Sequence, residues 1–204
     1  MKKLPLCLTA VICVSLLNLA CTDEAAECHK LAANNQNSEA IPFCEKACNL
    51  NDGEGCFYLG LFYRYSGATQ DAARLKRLMN LTDNYSGATQ DVAQDVAQKL
   101  SAATYYEKAC NLNYALGCLE LGLLYEVGNG VRQDYQMAKT YHEKACDLNY
   151  GTGCFVLARL YERGHVLKNS QTAKGYAKEY YGKACYLGNK YGCDDYQKLD
   201  KKGY

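Results

Sequence analysis

The feature that most constrains this chain is a twelve-residue motif, with cysteine at its fourth and last positions, that recurs four times. The copies are EKACNLNDGEGC at 45–56, EKACNLNYALGC at 107–118, EKACDLNYGTGC at 143–154 and GKACYLGNKYGC at 182–193. Their first cysteines are separated by 62, 36 and 39 residues. A period of this length is typical of solenoids and other repeat architectures.

Apolar residues around each cysteine pair follow the period of an α-helix. Alanine stands eight and one positions before the first cysteine, and an aromatic residue stands five positions before it. Leucine or an aromatic residue stands three and six positions after the second cysteine. These offsets place the side chains on one stripe of each of two helices. We therefore predict an all-α fold, an α-solenoid of stacked αα-hairpins of about 36 residues each.

A small residue recurs four positions after the second cysteine, at Gly60, Gly122 and Ala158. Glycine inside a helix costs about 1 kcal/mol relative to alanine. We expect a neighbouring backbone to come close at this position.

The two cysteines of each motif flank the predicted turn, so their side chains can face each other. For such a short loop, a disulfide would stabilise the hairpin by about 2.5 kcal/mol. The alternative is a zinc–thiolate site, but its usual CxxC spacing is absent, and we expect no metal. The predicted disulfides are Cys48–Cys56, Cys110–Cys118, Cys146–Cys154 and Cys185–Cys193, with Cys28–Cys44 as a fifth pair.

The N-terminus indicates export. MKKLPLCLTAVICVSLLNLAC places two lysines before an apolar run from Leu4 to Ala20, the pattern of a secretory signal. An uncleaved anchor is the alternative, although the run is marginal in length for a membrane span. Cys21 is a candidate for lipidation in a lipoprotein signal. We expect a secreted or periplasmic protein, lipid-anchored if Cys21 is modified, in which disulfides persist.

The repeat pattern divides the chain. We predict a signal segment over 1–22, a helical lead-in over 23–37 and a tail over 200–204. The predicted repeats are at about 38–71, 97–134, 135–171 and 172–199, with an insertion at about 72–96. YSGATQD occurs twice, at 65–71 and 85–91, which indicates a duplication beside this insertion.

The pattern A-x-x-Y-x-E-K-A-C-x-L-x-x-x-x-G-C-x-x-L-G-x-L-Y, followed by GNGV at 128–131, resembles the SEL-one-like repeats, relatives of the tetratricopeptide repeat. The paired cysteines resemble the Helicobacter cysteine-rich protein family in particular, over about residues 36–199. This resemblance implies a secreted or periplasmic solenoid with one disulfide per repeat. It also implies that family's assignment as penicillin-binding proteins and β-lactamases, which act on a β-lactam or a peptidoglycan-derived small molecule.

The sequence itself carries no pattern of a known β-lactam hydrolase. No serine is followed three residues later by lysine, and G-x-S-x-G is absent. His29, His142 and His165 form neither H-x-H nor H-x-x-x-H, the clusters that a zinc enzyme would need. Catalytic residues therefore stay unknown, whether the protein is an enzyme stays open, and no cofactor is expected.

A binding role follows more directly from the fold, because a solenoid presents an extended concave surface. Its partner would be an extended peptide, a peptidoglycan fragment or a host protein. Candidate groove residues are Tyr106, His142, Tyr181, Asn113 and Asn149. The more ordinary interpretations are that the tyrosines are core, that His142 is a solvated helix residue and that the asparagines cap helices. The net charge of +1, without a basic stripe, argues against nucleic acid, and we expect a monomer.

Overall fold

The computed structural model describes residues 23–65 and 102–204, which together contain nine α-helices and no strand. The predicted signal segment, Cys21 and the insertion at about 72–96 lie outside the described residues. The helices are α1 (23–33), α2 (Asn37–Asn49), α3 (Gly53–Tyr65), α4 (102–111), α5 (Ala115–Val127), α6 (Tyr135–Asp147), α7 (Gly151–Glu162), α8 (Ser170–Tyr186) and α9 (Lys190–Lys201).

Eight of these helices form four hairpins, α2–α3, α4–α5, α6–α7 and α8–α9, and α1 precedes the first. We refer to the first helix of each hairpin as its A helix and to the second as its B helix. Each hairpin buries one face between its own two helices and another against its neighbour. The predicted all-α solenoid of stacked hairpins is confirmed.

Each hairpin neck is closed by the same backbone motif. At the end of α6, Asn149 lies in the left-handed region (φ 60°), and its N–H donates to the carbonyl of Cys146 at 3.0 Å. The N–H of Tyr150 then donates to the carbonyl of Ala145 at 3.1 Å. These two bonds satisfy carbonyls that the helix end would leave without a partner. The same bonds recur where the chain turns at Asn51, Asn113 and Gly188, all with positive φ.

The two helices of a hairpin approach closely beside the neck. A Cβ built at Gly117 would lie 2.6 Å from the Cβ of Ala109, and Gly153 stands in the same relation to Ala145 at 2.6 Å. Any larger residue in place of glycine would push the helices apart. The glycine before each second cysteine therefore lets the two cysteines meet.

A disulfide closes every hairpin neck, as the fold prediction required. The Cα atoms of the paired cysteines lie 4.5–4.6 Å apart, within the ordinary range for a disulfide. A fifth disulfide joins α1 to α2. The bonded pairs are Cys28–Cys44, Cys48–Cys56, Cys110–Cys118, Cys146–Cys154 and Cys185–Cys193.

Candidate functional site

Three of the predicted groove residues lie in the core. Tyr106, His142 and Tyr181 occupy the same repeat position, four residues before the first cysteine, and each side chain is 0% exposed. Their assignment to an open groove is therefore wrong, as is the interpretation of His142 as a solvated residue. The core interpretation of the two tyrosines is the one that the structure supports, because this position faces the preceding hairpin.

The recurring small residue on the B helix explains this burial. A Cβ built at Gly60 would lie 2.4 Å from the ring of Tyr106, and one at Gly122 would lie 2.5 Å from the imidazole of His142. The expectation of a close backbone at this position is therefore wrong. The space is filled by an aromatic ring from the next hairpin, which locks the two hairpins together.

The buried ring at this position meets a polar group at the end of the preceding B helix. Between the third and fourth hairpins, the hydroxyl of Tyr181 donates to Glu162 at 2.7 Å. Burial, together with this carboxylate, raises the pKa of Tyr181 well above its usual value. The phenol therefore stays protonated and acts as a hydrogen-bond donor that fixes the joint between hairpins.

The joint between the second and third hairpins is built differently, because histidine replaces tyrosine. The Nε2 atom of His142 lies 3.7 Å from Glu126, too far for a hydrogen bond, and neither ring nitrogen has a hydrogen-bond partner. Arg163 also approaches Glu126, at 3.3 Å. The imidazole, with the guanidinium as a smaller contribution, holds the pKa of Glu126 below its usual range.

Between the first and second hairpins, the polar group beside the buried ring is an ion pair and not a single carboxylate. Arg64 at the end of α3 pairs with Glu120 on α5, and both lie beside the buried ring of Tyr106. Burial is the main cause that raises the pKa of Tyr106. These three polar joints hold the hairpins in register, and they offer no accessible nucleophile.

A second set of residues forms the accessible surface of the A helices. These residues stand six positions before, three positions before and one position after the first cysteine of each motif, and they share one helix face. We call this set the outer stripe; its members are Pro42, Glu45, Asn49, Thr104, Glu107, Asn111, Thr140, Glu143, Asp147, Glu179, Gly182 and Tyr186, all exposed or partly exposed.

The A helices of the third and fourth hairpins contact each other beside this stripe. The hydroxyl of Tyr180 on α8 donates to Glu143 on α6 at 3.4 Å, and Lys183 pairs with Asp147 at 3.1 Å. Burial and the carboxylate of Glu143 raise the pKa of Tyr180 to about 12. Side chains of α8 therefore reach two outer-stripe carboxylates of α6.

Asn113 and Asn149, the other predicted groove residues, are exposed at the hairpin necks. Both have positive φ and donate their backbone N–H groups to the helix end. Asparagine tolerates this conformation better than most residues. Their local role in ending the A helices accounts for their recurrence, and a contact with a partner stays a proposal.

One cluster of polar groups was not expected from the sequence. His29 on α1 contacts Asp52 at 3.0 Å and Glu54 at 3.7 Å, and Asp52 accepts from the N–H of Gly55 at 2.7 Å. Asp52 thereby caps α3, so the cluster fixes α1 to the first hairpin. In the sequence, the cap could have been recognised from the aspartate that precedes α3, because only the first repeat has aspartate at this position.

Over 23–65 and 102–204, no group of three or more histidine, cysteine or acidic side chains is arranged to hold a metal ion. Within the same ranges, no helix combines the length and apolar character that a membrane span requires.

Comparison with known proteins agrees with this geometry. A sequence model described as the Sel1 repeat matches residues 85–114, 115–150 and 152–189. None of the curated proteins searched matches the chain.

Three solved structures are similar to this chain, two of them with TM-scores above 0.5. A protective antigen of uropathogenic Escherichia coli with an SLR fold has a TM-score of 0.58 at 22% identity, and the match covers 81% of this chain. A Sel1 repeat protein from Oxalobacter formigenes has a TM-score of 0.60 at 18% identity, over 84% of this chain. Helicobacter pylori cysteine-rich protein B is 30% identical over 78% of this chain and 93% of its own length, with a TM-score of 0.48.

The chain spans 29% of the E. coli antigen and 59% of the Oxalobacter protein, so it matches part of each. Their likeness concerns the fold alone. Since the repeat model covers more than half of the residues, the chain belongs to the Sel1 repeat family.

Proposed function

We propose that the protein is an exported binding scaffold that takes an extended segment of a partner polypeptide along the outer stripe. The observation that carries this proposal is the repetition of one surface chemistry on successive A helices. Glu45, Glu107 and Glu143 occupy the same position on three of them, all exposed or partly exposed. A lysine follows each glutamate directly, so the stripe is a row of acids edged by a row of bases.

The spacing of this row suits an extended chain. Side chains of α8 reach Glu143 and Asp147 on α6, and an extended peptide advances about 3.3 Å per residue. A partner with regularly spaced basic residues would therefore meet one glutamate on each of the first three hairpins. The hairpins present these groups in a fixed register because the joints and disulfides hold them, which lowers the entropic cost of binding.

Export is supported by the disulfides. Five disulfides in one chain are typical of an oxidising compartment and rare in a reducing cytosol. Together with the secretory pattern at the N-terminus, they favour a periplasmic or secreted location. An anchor at Cys21 would keep the same scaffold at a membrane surface.

The alternative function is β-lactam hydrolysis, which the resemblance to the Helicobacter cysteine-rich proteins implies. Two serines, Ser38 and Ser170, lie within the described residues, each exposed in the first turn of an A helix. Neither is followed three residues later by the lysine that S-x-x-K requires; Lys174, four residues after Ser170, donates to the hydroxyl of Tyr204 at 2.7 Å. We therefore favour the scaffold, and retain the hydrolase as an outcome that an activity measurement can reveal.

A peptide selection tests the scaffold. Peptides displayed in random sequence would be selected against the oxidised protein, and the affinities of the enriched peptides compared among variants. We expect enriched peptides to carry regularly spaced lysine or arginine. We expect Glu45→Gln and Glu107→Gln each to weaken their binding several-fold, more at low salt than at high salt.

Asp194→Asn is the matched control, because Asp194 is an exposed acid on α9 outside the outer stripe. It should leave peptide affinity unchanged. Peptides that bind the two glutamate variants as tightly as the parent protein would rule out the outer stripe as the binding surface.

A further inference from the structure

The five disulfides differ in how well they are covered. The sulfur-bearing residues of the four inner disulfides are 0–1% exposed, whereas Cys185 and Cys193 of the last hairpin are partly exposed. The loop that each neck disulfide closes is the same, with a sequence separation of 8. The difference therefore comes from the surroundings and not from the hairpin itself.

The following hairpin covers each inner neck. Leu148 and Tyr150, from the neck of the third hairpin, pack against the buried cluster that contains Cys110 and Cys118. Leu187, from the neck of the fourth hairpin, packs in the same way against the cluster that contains Cys146 and Cys154. Access to an inner disulfide therefore requires two hairpins to separate.

The fourth hairpin has no such cover among the described residues. The B-helix positions that carry Phe155 and Ala158 in the third hairpin carry Asp194 and Gln197 in α9, and both of these are exposed. A polar face of this kind is what a terminal repeat needs in order to stay soluble. These polar side chains leave the disulfide of the fourth hairpin open to solvent.

We propose that Cys185–Cys193 is a site of thiol–disulfide exchange, at which a partner dithiol opens the terminal hairpin without unfolding the rest of the solenoid. The partner's thiolate attacks one of the two sulfur atoms, the bond between Cys185 and Cys193 breaks, and the displaced cysteine leaves as a thiolate that takes a proton from water. The partner's second thiol, after losing its proton, displaces the other cysteine from the mixed disulfide. The protein gains two electrons and two protons, and the partner becomes a disulfide.

Opening this disulfide leaves the fourth hairpin with its other contacts. Leu199 and Tyr181 stay buried against the third hairpin, and the backbone bonds at Gly188 still close the turn. Reduction at this site is therefore local, and it loosens α9 at the end of the stack. The first two joints and the outer-stripe residues of the first three hairpins lie on other helices.

Differential alkylation tests this proposal. With free thiols of the full chain blocked beforehand, the oxidised protein is exposed to a low concentration of dithiothreitol and then alkylated with iodoacetamide, and the modified cysteines are mapped by mass spectrometry against time. We expect Cys185 and Cys193 to be modified at least tenfold faster than the inner cysteines, while far-ultraviolet circular dichroism stays unchanged. Equal rates for all five disulfides, or earlier modification of an inner pair, would overturn the proposal.

Two variants separate access from general loosening. The double variant C185A/C193A should lose the fast phase and keep the slow phase of the inner disulfides. Leu148→Ala removes part of the cover over Cys110 and Cys118, and should accelerate their reduction selectively. If the inner pair in Leu148→Ala is reduced as slowly as in the parent protein, cover by the next hairpin does not govern exchange.

Discussion

The imidazole of His142 occupies the space that a side chain at position 122 would need. A Cβ built at Gly122 would lie 2.5 Å from both Cε1 and Nδ1 of this ring. The ring of Tyr106 stands in the same relation to Gly60, at 2.4 Å. A small residue on one B helix and a ring on the next A helix therefore set how closely consecutive hairpins stack.

Gly122→Ala should destabilise the protein, although alanine is the better helix former. The helix preference would contribute up to about 1 kcal/mol in favour of alanine. Displacement of a fully buried ring costs about 1–3 kcal/mol, because the core has no room into which it can move. The midpoint of urea unfolding should therefore fall.

Gly175→Ala is the control for this substitution. Gly175 lies inside α8, and a Cβ built there would meet nothing within 4 Å. The same change should raise the unfolding midpoint here. If both variants shifted in the same direction, helix preference and not the ring would decide the outcome at position 122.

His142→Tyr should preserve the joint between the second and third hairpins. Tyrosine occupies this repeat position in Tyr106 and Tyr181, and the hydroxyl of Tyr181 reaches its carboxylate at 2.7 Å. Because a hydrogen bond from the new hydroxyl to Glu126 would offset the added volume, we expect a smaller loss of unfolding free energy than in His142→Ala. His142→Ala, which leaves a cavity, should lose about 2–4 kcal/mol. Equal losses in the two variants would contradict the placement of this side chain.

Glu126 makes stability depend on pH in a definite direction. Its pKa in the folded protein is lowered from the ordinary value of 4.5, chiefly by His142. A lowered pKa stabilises the fold above the ordinary value, and this contribution disappears as the pH falls through the folded value. The difference in unfolding free energy between the parent protein and Glu126→Gln should be present at pH 6 and vanish in acid. A difference that persists unchanged at pH 3 would show that the carboxylate charge is not its cause.

Removal of one neck disulfide should destabilise the array without changing its fold. For a loop of this length, the double variant C110A/C118A should lose about 2.5 kcal/mol, as judged from urea unfolding. Far-ultraviolet circular dichroism should stay helical, because the close approach of Gly117 to Ala109 and the backbone bonds at Asn113 remain. Complete loss of helical signal in this variant would mean that the disulfide is required for the hairpin to form.

Much of the fold could be predicted because the same helix–turn–helix pattern occurs in four copies along the sequence. The spacing of Ala109 and Tyr105 before Cys110 placed the A helix, and the position of Cys118 placed the neck. The recurrence of one pattern in independent copies makes such a prediction robust, since each hairpin uses the same packing solution.

The contacts between hairpins could not be predicted in the same way. A tyrosine such as Tyr106 satisfies a helical pattern equally well in an open groove and in a buried joint. What decides between these places is the glycine opposite, Gly60, and that pairing is visible only in three dimensions. His142 was misplaced for the same reason, because the glycine that makes room for its ring, Gly122, lies on another helix.

Whether this stapled solenoid binds or hydrolyses is tested most directly by turnover of a chromogenic β-lactam by the oxidised protein, with the intact mass recorded on the same sample. We predict no turnover and no mass increase while all five disulfides are intact. Turnover accompanied by a transient acyl adduct would contradict the scaffold, and the site of that adduct would identify a catalytic residue.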